Sequence, residues 1–406
     1  MDIGTWLQAK AGWVRATRKR TLLFAAGATV IVAAVVAIVG SFGPVDLQVY
    51  RFGADSVLHG ADPYAMRAST TSGTALPFIY PPFAAIVFMI LAIPPLGVAS
   101  VLLHLISVAS VWIVLYVACR RLWNGWSVRT TLATATALTV VALVFEPVRS
   151  TIFFGQINLI LMALVAVDCL APNPRWPRGV LVGIAAAIKV TPAGFLLFFL
   201  LTKDFRAARN ALIAGVGATA LGFIVAPQAS AAYFFGGGLT GAAGLSGSPY
   251  ATNQTIEGAL NRLDLPSSTH SLLWLSLSAF VLVAAVIAMR RIDGPRAFVV
   301  NAVVVLVLSP ISWSHHWVWV APAVLILASQ VRTPRSAAAL IAGAAVYIAA
   351  PHAFLPSAEM RELAWTPWQH LVGNAYLLVG IGFVAWQLFA LQPARAAVPS
   401  IEKPAP

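Results

Sequence analysis

Charge is scarce in this chain. Asp, Glu, Lys and Arg make up 10% of its 406 residues, against about 25% in soluble domains. The acidic sign is the rarer, with 13 Asp and Glu against 26 Lys and Arg. Cysteine is nearly absent. Cys119 and Cys169 stand alone near helix ends, so the chain offers neither an obvious disulfide nor a thiolate metal spacing. No internal repeat of fixed period is present, and neither end carries a stretch that reads as a soluble domain. The basic residues form no strip with interleaved aromatics in a soluble segment, so the net charge of +13 does not point to nucleic acid.

What the chain has is apolar sequence. Hydrophobic residues are 60% and the mean hydropathy is +0.85, against about 45–50% apolar residues in soluble domains. Runs of about 17–25 apolar residues cross a bilayer, and the first extends from Thr21 to Gly40. Arg15, Arg18, Lys19 and Arg20 flank it like the basic region of a signal peptide. The run outlasts a usual signal core and has no Ala-x-Ala exit, so a retained helix is expected.

Basic clusters then recur at Arg120-Arg121 with Arg129, Arg175 with Arg178, Lys203 to Arg209, Arg290-Arg291 with Arg296, Arg332 with Arg335, and Arg395 with Lys403. With each placed on the cytoplasmic side, the chain crosses near 21–42, 96–119, 130–145, 157–171, 210–227, 271–289, 297–310, 317–330, 336–350 and 368–391. Residues 83–93 are short for a span, and residues 179–201 begin and end beside cytoplasmic charge. Each is expected to be a hairpin of short helices, covered by protein or lining a water-filled cavity. The expected fold is an all-α polytopic membrane protein of about 10–13 helices. A single membrane domain fills residues 1–391, and residues 392–406 form a mobile cytoplasmic tail.

The turns without basic clusters carry the other polar residues. Asp46 stands at the outer end of the first span, as a helix-end Asp in water or as a general base for a hydroxyl. Asp62-Pro63 reads as turn chemistry. Glu146 and Arg149 either pair to fix their loop or bind substrate, and Gln156 and Asn158 either cap the next helix or bond sugar hydroxyls. Lys189 lies inside an apolar segment, where a charge costs about 2.5–3.5 kcal/mol or more. It either snorkels or holds a phosphate near the tip of a hairpin. Asn253-Gln254-Thr255 matches a glycosylation pattern that is common by chance. In Ser314-His315-His316-Trp317, adjacent histidines cannot both face one way on a helix, so one belongs in a site and the other supports it. The neighbouring tryptophans form an interfacial belt or stack on sugar rings. No His or carboxylate spacing suits a metal, so neither a metal nor a cofactor is expected.

Six stretches together resemble glycosyltransferase family 87 (GT87): Pro44–Tyr50, Phe78–Phe83, Glu146–Ser150, Phe154–Asn158, Ile188–Pro192 and Ser309–Trp319. The resemblance spreads over most of the chain. It implies a GT-C membrane fold and transfer of α-mannose from polyprenyl-phosphate mannose to a cell-envelope glycolipid. It places the catalytic base on Asp46 in an extracytoplasmic loop, and a site histidine on His315 or His316. Lys189 and Arg149 would face the donor phosphate. Arg51, Tyr80, Glu146, Gln156, Asn158, Asn253, Gln254 and Trp317 would contact substrate. Val167-Asp168-Cys169 and Pro174–Gly179 most resemble the α-(1→2) enzyme that branches lipomannan and lipoarabinomannan. The relative that extends phosphatidylinositol mannosides is the alternative. Gln48 departs from relatives with His or Asp there. The implied partners are the lipid-linked donor, a mannosylated lipid acceptor and the bilayer of the plasma membrane. A lipid-linked sugar transporter or flippase is the rival class. Such proteins place a polar site near the midplane between repeats, whereas these motifs gather at one face.

Overall fold

The computed structural model describes residues 44–241, 245 and 247–389. The first expected span and the tail lie outside these residues. The chain runs through α1 (Val45–Leu58), a hairpin of β1 (Arg67–Ser69) and β2 (Ala75–Pro77), α2 (Pro82–Ala92), α3 (Leu96–Leu122), α4 (Val128–Ala142), α5 (Glu146–Phe154), α6 (Asn158–Leu170) and α7 (Val180–Ile188). After a 3-10 turn, Thr191–Phe195, come α8 (Leu196–Leu201), α9 (Phe205–Val225), α10 (Pro227–Phe235), α11 (Ile256–Asn261), α12 (Ser267–Met289) and α13 (Gly294–Leu308). A second 3-10 segment, Ser314–Trp319, leads into α14 (Val320–Ala328), α15 (Pro334–Ala349), α16 (Pro367–Gly373) and α17 (Ala375–Phe389). The architecture is helical, as the apolar pattern predicts.

Among the described residues, α3, α9 and α12 are long and apolar enough to cross a membrane, at 27, 21 and 23 residues. Only 17% of the most apolar stretch of α9 is buried inside the protein, and 28% of that of α12. Leu212, Ile213, Val216, Phe280 and Val283 point outward, which suits lipid and not water. Two further pairs bend: α4 and α5 by 79°, α16 and α17 by 70°. Helices α6, α13 and α15 have 13, 15 and 16 residues, short of the roughly 20 that span a bilayer core. The start of α6 and the segment after α13 run into one polar assembly, where backbone ends find protein partners.

The break expected within 179–201 occurs, but residues 83–93, expected as a hairpin of short helices, lie in one unbroken helix, because no Pro or Gly interrupts Phe83–Ala92. The helix α7 stops at Lys189, whose backbone is extended (φ −147°, ψ 131°), and Pro192 in the next turn cannot continue an α-helical ladder. The helix α2 ends before Pro94-Pro95 and is 11 residues long. The helix α5 ends at Gly155 in the left-handed region (φ +69°). A side chain there would be strained, and its Cβ would lie 2.5 Å from Pro44. Gly155 thus lets the turn between α5 and α6 close on the start of α1.

Candidate active site

Asp46 sits in the first turn of α1, outside the spanning segments, where the partial positive charge of a helix start favours an anion. Gln156 and Lys189 both favour its ionised form. Burial nevertheless pushes it up to about 6, against the downward pull of Gln156 and Lys189. Such a value lets a carboxylate both take and release a proton near neutrality.

Lys189 projects from the end of α7. Its Nζ donates to Asn158 Oδ1 at 2.9 Å and lies 3.2 Å from His316 Nε2. The same ammonium stands 5.4 Å from the centre of the Tyr80 ring, a cation–π distance. Asn158 in turn donates to the His315 carbonyl at 3.1 Å, and Thr151 donates to that carbonyl at 2.8 Å. A small cavity of about 30 Å³ is lined by Asn158, Lys189, Thr191 and His316 among apolar neighbours. So α1, the turn before α2, the turn between α5 and α6, the end of α7 and the second 3-10 segment all meet at one place.

The two adjacent histidines divide their work as a helical step requires. His316 reaches Lys189 with its ring. His315 packs its ring against Phe154 at 5.4 Å and supports the cluster through its backbone carbonyl.

Glu146 does not pair with Arg149. Its Oε1 accepts from Ser150 at 2.5 Å and Ser314 at 2.9 Å, and its Oε2 accepts from Tyr376 at 2.8 Å. It therefore clamps the histidine segment to α5 and α17. Arg149 reaches the Ile348 carbonyl at 3.4 Å, and among the described residues no hydrogen bond or ion pair joins it to the Lys189 cluster.

Four further residues that the sequence pointed to as substrate contacts are placed in structural work. Arg51 donates to the carbonyls of Leu91 and Pro94 at 2.5 and 2.6 Å and so caps α2. Asn253 is fully buried. It bonds the Ser248 carbonyl, the Ser312 N–H and the Thr255 hydroxyl. Gln254, equally buried, donates to the carbonyls of Ala251 and Gly373 and accepts from Tyr376 N–H. The glycosylation pattern at Asn253 is thus enclosed. Trp317 is buried and packs its ring against Tyr347 and Tyr376. Arg51, Asn253 and Gln254 are consumed because each lies beside a helix end or loop whose backbone has donors and acceptors to satisfy. Sequence reasoning missed Tyr50, which joins the Asp46 network. It was legible only as an aromatic four residues after Asp46 on one helix face.

Fold and site together define a polytopic membrane protein in which a carboxylate, a lysine and a histidine are brought together from separate helices. A family model of glycosyltransferase family 87 matches residues 78–310. The polyprenol-phosphate-mannose-dependent α-(1-2)-phosphatidylinositol mannoside mannosyltransferase of Mycobacterium tuberculosis is 37% identical over 361 residues, 82% of each chain. The protein of the same description from Mycolicibacterium smegmatis is 36% identical over 377 residues, 84% of each chain. The solved structure of ArnT from Cupriavidus metallidurans in the apo state aligns with a TM-score of 0.44 at 18% identity, over 94% of this chain and 77% of that one. The chain belongs to glycosyltransferase family 87.

Proposed function

We propose that this chain transfers mannose from polyprenyl-phosphate mannose to a mannosylated phosphatidylinositol lipid, forming an α-(1→2) linkage with inversion. The observation that carries the chemistry is the convergence of Asp46, with its carboxyl near 6, on the Lys189–His316 pair. The donor tail lies in the bilayer and its phosphate meets Lys189 and His316. Asp46 takes the proton of the acceptor hydroxyl as that oxygen attacks the anomeric carbon. The bond to phosphate breaks on the opposite face, and Lys189 offsets the charge that develops on the leaving phosphate.

Two observations support this acceptor. Both relatives are named for phosphatidylinositol mannoside. The segments that suggested lipomannan branching form a local clamp instead. Trp176 Nε1 donates to Asp168 Oδ1 at 2.9 Å and Arg178 caps the end of α6. Asp168 is far along α6 from Asn158, about 15 Å at 1.5 Å per residue, so this clamp does not read an acceptor held at Asp46.

We place the site on the extracytoplasmic face of the plasma membrane, by the alternation of basic turns. The test is transfer by the purified protein from radiolabelled polyprenyl-phosphate mannose, with phosphatidylinositol mannosides and lipomannan offered separately. Label in phosphatidylinositol mannosides supports the proposal, and label only in lipomannan overturns the acceptor. Cysteines placed at exposed positions in the 59–75 and 355–366 loops should react in intact cells with a membrane-impermeant reagent. Reaction only after permeabilisation overturns the face.

A further inference from the structure

The environment of Asp46 contains a hydrogen-bond chain whose direction can be read without seeing a hydrogen. Tyr50 is fully buried on α1, stacked on Phe88 at 4.2 Å and edge-on to Tyr80 at 5.2 Å. Its oxygen accepts the backbone N–H of Ile157 at 3.2 Å. A backbone N–H can only donate, so the hydroxyl turns its own proton elsewhere. Gln156 Oε1 lies 2.9 Å away and accepts it. The Tyr80 hydroxyl lies 3.2 Å from the same Oε1 and 3.1 Å from the Tyr50 oxygen. With Oε1 committed to hydroxyl donors, the amide nitrogen of Gln156 is left as the donor that favours the ionised Asp46 carboxylate.

From these contacts we infer that Tyr50 and Gln156 are positioning residues. The chain from Ile157 N–H through Tyr50 and Gln156 presents a fixed donor to Asp46 and holds that carboxylate in its proton-accepting form. This rests on the reading of Asp46 as the base. The groups that face Asp46 are Gln156 from the turn before α6, Lys189 from the end of α7, Tyr50 on α1 itself and Tyr80 from the turn before α2. A donor to the ionised form favours it, and burial opposes it. When the amide is lost, Lys189 alone offsets burial, and Asp46 protonates at higher pH. Gln156 therefore acts on the base and not on a sugar hydroxyl, because both ends of its amide are engaged.

The experiment is the pH profile of kcat from pH 5 to 9 in the purified protein, at saturating polyprenyl-phosphate mannose and acceptor. In Gln156→Leu the acidic limb should move up by about one pH unit, from the worth of a hydrogen bond to a charged group. The rate at pH 6 should then fall about fivefold and mostly return at pH 8, while the donor KM holds within about twofold. Tyr50→Phe should shift the limb in the same direction by less, since Tyr80 still donates to Gln156. A loss equal at every pH, or an unmoved limb, overturns the inference. If Gln156→Leu does not fold, the limb in Tyr50→Phe decides. Asp46→Asn separates the two readings. Activity retained in that variant removes the base itself, whereas an inactive Asp46→Asn with an unmoved limb in Gln156→Leu removes only the chain.

Discussion

Asp46 and Asp168 make an instructive pair. Both are carboxylates with a cation, an aromatic and a helix start nearby. Asp168 is fully buried, and each of its oxygens has a partner, Trp176 Nε1 at 2.9 Å and Val182 N–H at 3.0 Å. Its cation is also spent. Arg178 donates to the carbonyls of Asp168, Cys169 and Ala171, faces Asp204 at 3.8 Å, and has its own carbonyl held by Asn210. Nothing in that clamp remains to bind a further group. Asp46 is half-buried, and its carboxyl is raised by burial. Lys189 rests on the uncharged acceptors Asn158 and His316, an ammonium without a salt bridge among the described residues. The difference is saturation. A carboxylate whose lone pairs all serve backbone and indole donors stabilises a fold. One that keeps a lone pair and a nearby unmatched cation can take a proton and hold an anion.

Substitutions at the two ends should separate sharply. Asp46→Asn keeps shape and removes the base, so transfer should fall by at least about 100-fold with unfolding temperature unchanged. The measurement is initial rate beside a thermal scan in detergent, and near wild-type turnover removes Asp46 from its role. Lys189→Gln should come next, raising the donor requirement about tenfold or more through loss of a charge-assisted contact, with little change in acceptor use. Lys189→Arg should rescue in part, because charge returns on a different fork. Rates against donor at saturating acceptor, then the reverse, check this, and a change confined to the acceptor contradicts it.

Asp168→Ala should behave in the opposite way. It leaves Trp176 Nε1 and Val182 N–H unpaired, at roughly 1–3 kcal/mol for each buried donor. The loss should appear in thermal unfolding, while turnover per folded molecule stays within about twofold of wild type, the size of a change that leaves the reacting groups in place. A large fall in kcat without loss of stability breaks the comparison. The smallest effect is that of pH on the unaltered protein. The base form of Asp46 grows as pH rises through about 6, so the rate should rise across that range and be half lost near it. A rate flat from pH 5 to 8 denies that Asp46 titrates where burial places it.

Much of this was legible in the sequence, for identifiable reasons. Apolar runs between basic turns gave the helical membrane class, because a bilayer tolerates neither charge nor unpaired backbone in its core. The Lys189-Val190-Thr191-Pro192 break was readable because Pro cannot continue a helix and a buried Lys requires a reason. The adjacency of His315 and His316 required that they diverge, but not which one turned inward. The roles of Arg51, Asn253, Gln254 and Trp317 were not legible. Each looks like a binding residue in sequence, yet Arg51, Asn253 and Gln254 are consumed by helix ends or loop backbone, and Trp317 by the Tyr347 and Tyr376 rings. Glu146 finds Ser314 and Tyr376 across separations of 168 and 230 residues, which no local pattern encodes.

By itself the sequence determined the class of solvent, the helix break at Lys189–Pro192, and the short list of groups able to do chemistry. Those are properties of composition and of near neighbours, and they act before the chain folds. Only the tertiary structure decided which members of the list met, that His316 and not His315 faces Lys189, and that Asp168 is saturated while Asp46 is not. Hydrogen-bond saturation is a property of a place, set by which distant donors arrive there. It exists only once α1, α5, α6, α7 and the Ser314–Trp319 segment have closed around it.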